Sequence, residues 1–300
     1  MASKHKSISN EDYHKYFTLD ELTKSEDKRC KRFFDEHGFI IINCRSALEP
    51  LLEKLRREIA DLAKLLSPTL DPFDPSQIPS LNKLNFYKCL PLLKTVVQII
   101  NHSLLFTVAS NLGHRFPCAT KVSHCRVDSA FEPDHPFRMH QDAPYLIGSS
   151  NMLTIWIPLD EVSEQNGTLS LIPRSHLQGV RAIRPAGNTS APISSKGILF
   201  DDTISEVEMD NRINISMSGG DMLVMSPYLL HASAYPTSAK GSTVRYTVIS
   251  RISDLGDAKF LENGLPFGDS VSIFEDLESR CTHLLNYSNV RIGNVLNGAP

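Results

Sequence analysis

The chain has 300 residues, 41% of them hydrophobic and 22% charged, with a formal net charge of −3 and a pI near 6.4. That is enough apolar material for a large core, and residues 1–300 are read as one domain. The charge balance offers no general basic surface for nucleic acid or an anionic membrane, which leaves a small molecule as the expected partner.

The opening residues, MASKHKSISNEDYHKYF, are polar and lack the apolar run of a signal peptide. Cys30, Cys44, Cys89, Cys118, Cys125 and Cys281 are scattered without a CxxC pair, as expected of reduced thiols in a cytoplasmic protein. Residues 26–117 read mainly as helix, interrupted by the strand-like GFIIIN from Gly38 to Asn43. Ser46 is the expected N-cap of a helix in which Leu48, Leu51, Leu52, Leu55, Ile59, Leu62 and Leu66 recur at helical spacing until Pro68 stops the pattern. The proline-rich Ser67–Ser80 stretch is expected to be a surface loop. A second helical region is expected over Leu90–Asn111, and its apolar run is broken by Lys94, Gln98, Asn101 and His102, well short of a membrane span.

From about Cys118 the period becomes strand-like. TKVSHCRV, NMLTIWIPL, GTLSLIP, RINISM, DMLVM and VRYTVISRI are short, rich in β-branched or aromatic residues and separated by turn formers. Many short strands without intervening helices point to a jelly roll or sandwich. Residues 177–211 interrupt the pattern and are expected to form a lid. Residues 253–300 read as an irregular tail with one short helix around Val271–Leu285.

One stretch concentrates chemistry. In FRMHQDAPYL, residues 137–146, a strand would point His140 and Asp142 to one face and Gln141 to the other. Downstream, SPYLLHAS supplies His231, and Arg245 follows fourteen residues later in a β-rich run. Two histidines and one carboxylate on one face of a metal are the facial triad of non-haem Fe(II) oxygenases, whose open positions admit a bidentate 2-oxo acid and dioxygen.

HQD at 140–142, WIPLDEVSEQNGTLSLIPRSH at 156–176, GGDMLVMSPYLLHASAYP at 219–236 and Arg245 together resemble the phytanoyl-CoA dioxygenase-like branch of the Fe(II)/2-oxoglutarate oxygenases. The resemblance covers roughly residues 118–252, and FFDEHGFIII also looks like that family's opening helix and strand. It implies an α+β, mainly β fold: a double-stranded β-helix, a cupin-like jelly roll, with the N-terminal helices packed on one sheet. It also implies a dioxygenase that decarboxylates 2-oxoglutarate to succinate and CO2 at Fe(II) with O2 and hydroxylates an unactivated C–H bond of a metabolite. On that resemblance His140, Asp142 and His231 are the iron ligands, Arg245 pairs with the distal carboxylate of 2-oxoglutarate, Ser233 donates a hydroxyl to it, and Trp156 stands beside the cosubstrate.

The His231–Arg245 gap is longer than the family usually shows, and Arg251, at the same strand parity, is the rival. Arg245 is preferred because Arg251 would lie about 20 Å further along an extended strand and is expected to be a surface charge. His124 is read as packing beside the site, Trp156 equally well as an ordinary core aromatic, and Arg174 as a turn anchor. Asp142 argues against a halogenase, which replaces the carboxylate ligand with a small residue. Desaturation, cyclisation or epimerisation would share every motif, and a non-catalytic jelly-roll binding module would keep the triad only as a vestige.

Overall fold

The computed structural model describes residues 13, 15–24, 28–120, 123–129, 131, 137–143, 149–181, 183–185, 198–200, 204–234 and 244–257. Its helices are α1 (Leu19–Thr23), α2 (Arg29–His37), α3 (Arg45–Leu66), α4 (Ile78–Lys83), α5 (Phe86–Cys89), α6 (Lys94–Ile100), α7 (Ser103–Asn111) and α8 (Glu206–Asp210). Its strands begin with β1 (Tyr16–Thr18), β2 (Phe39–Asn43), β3 (Pro117–Ala119), β4 (His124–Asp128), β5 (Leu153–Pro158) and β6 (Thr168–Leu171). They continue with β7 (Ile183–Pro185), β8 (Ile198–Phe200), β9 (Ile213–Asn214), β10 (Met222–Met225), β11 (His231–Ala234) and β12 (Arg245–Asp254).

The large sheet runs β1-β2-β10-β5-β12-β3, with β4 also paired to β12, and a smaller sheet runs β11-β6-β9. Strand alternation sorts the side chains of the large sheet into two layers. Ile40, Ile42, Ile155, Ile157, Met222, Val224, Tyr246 and Val248 join the helices in the main apolar cluster. Phe39, Ile41, Trp156, Leu223, Met225 and Ile249 take the opposite face, where they meet Leu169, Leu171 and Ile213 of the smaller sheet. The result is the jelly roll with helices packed on one sheet that the sequence implies, and among the described residues the two sheets do not close into a barrel.

α3 buries Leu48, Leu52, Leu55, Ile59 and Ala63, while Leu51, Leu62 and Leu66 pack at its margin. The cap differs from expectation: Ser46 lies inside the helix, Cys44 is the N-cap, and the cap is supplied from elsewhere, as Asp221 accepts a hydrogen bond from the Cys44 N–H at 3.2 Å. The proline-rich loop ends earlier than expected, because Pro79 fits the first turn of α4. It is tied to the sheet by Tyr246, whose hydroxyl donates to the Pro72 carbonyl at 2.7 Å. The second helical region is broken into a 3-10 turn at Leu90–Leu92, then α6 and α7. Among the described residues no single helix is long and apolar enough to cross a membrane; only a pair bent by 54°, Phe86–Leu92 with Lys94–Asn111, has the length and composition. Gly38 ends α2 at a φ of 82° against the His176 ring, where a Cβ would meet Nδ1 at 2.5 Å. The helix expected at Val271–Leu285 lies outside the described residues.

Candidate metal centre and active site

The segment HQD is not a regular strand. His140 forms an isolated antiparallel bridge with His231, each donating its N–H to the other's carbonyl at 2.9 Å. The next contact joins the Ala143 N–H to the Pro227 carbonyl at 2.9 Å, so three steps along one side, 140 to 143, oppose four along the other, 231 to 227. The ladder therefore bulges at the triad. The side chains still diverge as alternation demands. Gln141 is fully buried on the far side. Its amide nitrogen donates to the Gly179 and Tyr228 carbonyls, and its oxygen accepts from the Arg181 N–H at 2.9 Å.

His140, Asp142 and His231 bring one ligand atom each to within 4.8 Å of one another. His140 Nδ1 lies 2.7 Å from the Arg138 carbonyl and His231 Nδ1 lies 3.0 Å from the Leu229 carbonyl. A carbonyl only accepts, so Nδ1 carries the proton on both rings and each Nε2 keeps its lone pair. Those nitrogens lie 3.8 and 3.9 Å from Asp142 Oδ1. Burial and the neighbouring His231 push the His140 pKa down to about 3, against a smaller upward pull from Asp142. Burial alone would raise the Asp142 carboxyl, but Arg251, then His231 and His140, hold it well below the usual carboxylate range. Two imidazole Nε2 atoms and one carboxylate oxygen make a donor set that suits Fe(II).

Asp142 is gripped from β5 and β12. Thr154 donates to Oδ2 at 2.6 Å, and Arg251 Nη2 lies 3.5 Å from both carboxylate oxygens. The expectation that Arg251 is a remote surface charge fails, because β12 runs back toward His140, Asp142 and His231 and its later residues lie beside them. Arg251 stands opposite Thr154 in the β12–β5 register, so the two side chains reach the same carboxylate.

Arg245 occupies the other end of the same strand face. Its guanidinium donates to the Thr168 carbonyl at 2.8 Å and to Asp128 Oδ2 at 3.0 Å, and its central carbon lies 5.7 Å from the Trp156 ring. Thr168 pairs with Ala234, next to Ser233, so Arg245 and Ser233 belong to one end of the interior. The Ser233 hydroxyl accepts from the Phe137 N–H at 3.2 Å, which leaves its proton outside that bond. Trp156 sits in the inner core, as an ordinary core aromatic would, and its ring lies next to Arg245.

Sequence reasoning missed Arg126 and Asp128. Arg126 donates to Asp128 Oδ1 at 2.7 Å and stacks over Phe137 at 4.3 Å. Asp128 is thus flanked by two guanidiniums; burial would raise its pKa, but Arg126 and Arg245 lower it. The period-2 pattern His124, Arg126, Asp128 could have revealed them, since β4 places all three on the inner face opposite Ile249, Thr247 and Arg245. His124 is on that face too, with Nδ1 3.4 Å from Arg251 Nη1, so it touches the metal end of the site rather than only packing beside it. Arg174 has a left-handed backbone at a turn and pairs with Glu36 at 2.8 Å, consistent with a turn anchor.

A jelly roll whose interior gathers a two-histidine, one-carboxylate cluster at one end and a buried arginine at the other defines an Fe(II)/2-oxoglutarate-dependent oxygenase. Residues 34–243 match the family described as Phytanoyl-CoA dioxygenase (PhyH), and the chain belongs to that family. It uses Fe(II), 2-oxoglutarate and O2. A curated relative, 1-deoxypentalenic acid 11-beta-hydroxylase from Streptomyces exfoliatus, is 25% identical over 259 residues, covering 80% of this chain and 86% of the relative. Two solved structures share the fold. The non-heme monooxygenase ThoJ in its apo form has a TM-score of 0.52 and 16% identity, over 76% of this chain and 78% of its own. The epimerase SnoN in complex with Fe3+, alpha ketoglutarate and nogalamycin RO has a TM-score of 0.52 and 16% identity, over 76% of this chain and 84% of its own.

Proposed function

We propose that His140, Asp142 and His231 hold the Fe(II), that Arg245 and Ser233 receive the distal carboxylate of 2-oxoglutarate with Trp156 alongside, and that the enzyme hydroxylates a C–H bond of a small metabolite. The observation that carries this reading is the convergence of two Nε2 lone pairs and Asp142 Oδ1, which leaves the remaining positions of an octahedral ion for other ligands. Bound iron supplies oxidation of the C–H bond as 2-oxoglutarate is decarboxylated, with one atom of O2 entering succinate and the other the product. The chain's own part is to fix its donors. The carbonyls of Arg138 and Leu229 set both tautomers, Thr154 turns Asp142, and the apolar inner face around Leu223, Met225 and Ile249 limits water.

Arg245 favours the cosubstrate assignment because a guanidinium matches a carboxylate in planar, two-point fashion. Arg126 and Arg245 both pair with Asp128, so the Arg245 guanidinium lies in a buried, charged corner of the interior suited to receive an anionic arm. Hydroxylation is preferred over desaturation, cyclisation or epimerisation because the curated relative is named a hydroxylase. Asp142 stands where a halogenase would need room for a halide. A binding module would have no use for donors pre-set to this degree. We place the enzyme in the cytoplasm as one domain, with residues 177–211 as a cover over the substrate and no nucleic-acid or membrane partner; the free thiols and the charge of −3 support this.

Anaerobic protein is expected to bind one Fe(II) per chain and, on addition of 2-oxoglutarate, to develop the weak visible charge-transfer band of a chelated 2-oxo acid. Asp142→Ala should abolish the band. Uptake of zinc alone, with no band from Fe(II), would sink the enzymatic reading. Incubating the active protein with a metabolite extract, and following succinate release with mass gains of one oxygen, then identifies the substrate.

A further inference from the structure

Asp142 has two oxygens, and an unrestrained carboxylate can offer a metal either or both. In this chain the choice is constrained from two neighbouring strands. Thr154 donates to Oδ2 at 2.6 Å, a short bond that commits that oxygen. Arg251 Nη2 lies 3.5 Å from both oxygens, too long for a two-point fork and better described as a charge contact along the edge of the carboxylate. Oδ1, which faces both Nε2 atoms at 3.8 and 3.9 Å, has no short hydroxyl or amide partner of this kind among the described residues.

Arg251 is itself positioned rather than loose. Its backbone N–H donates to Ser123 Oγ at 2.9 Å, and its Nη1 lies 3.4 Å from His124 Nδ1. A guanidinium has no lone pair to accept with, so Nδ1 of His124 is the acceptor there. The side chain is about nine-tenths buried, at 11% exposure, and extends from a strand position paired with Thr154. The chain thus spends a buried cation beside a site that must bind a second cation. Bare electrostatics opposes two cations this close, so what the arginine does for Asp142, keeping it ionised and oriented, has to outweigh that repulsion.

We propose that Arg251 is a positioning residue that, together with Thr154, holds Asp142 as a one-oxygen ligand, presenting Oδ1 to the metal and keeping Oδ2 away from it. The inference rests on the assignment of His140, Asp142 and His231 as the iron site. It divides the labour of the two arginines on β12: Arg251 serves the metal ligand, while Arg245 serves the cosubstrate. Partners of this type that orient a metal's ligands are worth about 10- to 100-fold in metal affinity.

The test uses the full chain with Arg251→Met, Arg251→Lys and Thr154→Val, titrated with Co(II) by competition and, under anaerobic conditions, with Fe(II) followed by 2-oxoglutarate. Arg251→Met is expected to weaken Co(II) binding about 10- to 100-fold and to change the visible Co(II) spectrum at saturating metal, as the carboxylate rotates. Arg251→Lys should recover part of both, since an ammonium restores the charge contact without the guanidinium's breadth. Thr154→Val should weaken Co(II) in the same direction. At saturating iron, 2-oxoglutarate affinity in Arg251→Met should stay within about threefold of the parent.

Co(II) affinity that rises in Arg251→Met would mean that the guanidinium acts only as a repelling charge, and would overturn the proposal. So would an unchanged affinity and spectrum, or a loss of 2-oxoglutarate binding with metal binding intact, which would make Arg251 the cosubstrate arginine. If Arg251→Met fails to fold, Arg251→Lys and Thr154→Val still decide, because both keep the side-chain volume close to the parent's. A parent protein that takes up neither metal would refute the iron site itself, a result distinct from any of these.

Discussion

Arg245 and Arg251 leave the same face of one strand and end in different company, Asp128 for one and Asp142 for the other. Their substitutions should therefore separate cleanly. On the proposed assignment, Arg245→Ala leaves the distal carboxylate of 2-oxoglutarate unpaired in a buried pocket, at a cost of about 2–5 kcal/mol, or roughly thirtyfold to several-thousandfold weaker cosubstrate. Iron binding should survive, and Arg245→Lys should recover only part of the loss, because an ammonium cannot make two parallel hydrogen bonds. A titration of 2-oxoglutarate at saturating iron measures both. The clustering of His140, Asp142 and His231 was legible from the sequence because two of its members are written locally, in HQD, and the third lies in LLHAS. Arg251 was not, because strand length gives a distance from Arg245 but not the direction in which the metal lies. Arg126 and Asp128 went unread for a related reason: their partner Arg245 is more than a hundred residues away, and only the β4–β12 register joins them.

At the scale of elements, the period-2 strands and the α3 stripe were readable because burial imposes them directly on the sequence. Caps and boundaries were not, since α3 takes its cap from Asp221 and α4 begins inside a proline-rich stretch. The triad segment shows the same limit. Alternation correctly sends Gln141 away from Asp142, yet the bulge and the uses of Gln141 depend on distant backbone. Gln141 binds carbonyls or amides at Gly179, Arg181 and Tyr228, and Arg181 in turn forms an ion pair with Glu208, so the glutamine ties the metal-bearing segment to both ends of the 177–211 excursion. Gln141→Ala is expected to lower stability by at least about 1–3 kcal/mol, the cost of a buried polar group left unpaired. Iron should remain bound, as the His140–His231 backbone bridge does not use this side chain. Thermal unfolding beside an iron assay on the same sample checks both halves.

For the whole molecule, buried neutral histidines set the response to acid. The folded His140 pKa, about 3, lies below the ordinary value near 6.5, so the unfolded chain takes up a proton first and stability falls as pH drops through that window. The slope from this group is at most about 1.4 kcal/mol per pH unit. His37, His114 and His176 are lowered by burial in the same direction and add to it. Metal-free protein should therefore melt at a lower temperature at pH 5 than at pH 8.

The bridge between His140 and His231 joins two points of the chain separated by 91 residues, so the two histidines of the candidate metal site are each other's backbone partners. Contacts of such separation are made late, after shorter loops have closed. A nascent or partly folded chain therefore offers the local pair His140 and Asp142 without His231, and the full three-donor set exists only in the finished protein. The only tryptophan, Trp156, lies in the same interior and provides an internal clock. When refolding is followed with Co(II) present, cobalt absorbance is expected to appear with or after the last change in tryptophan fluorescence, and never before it.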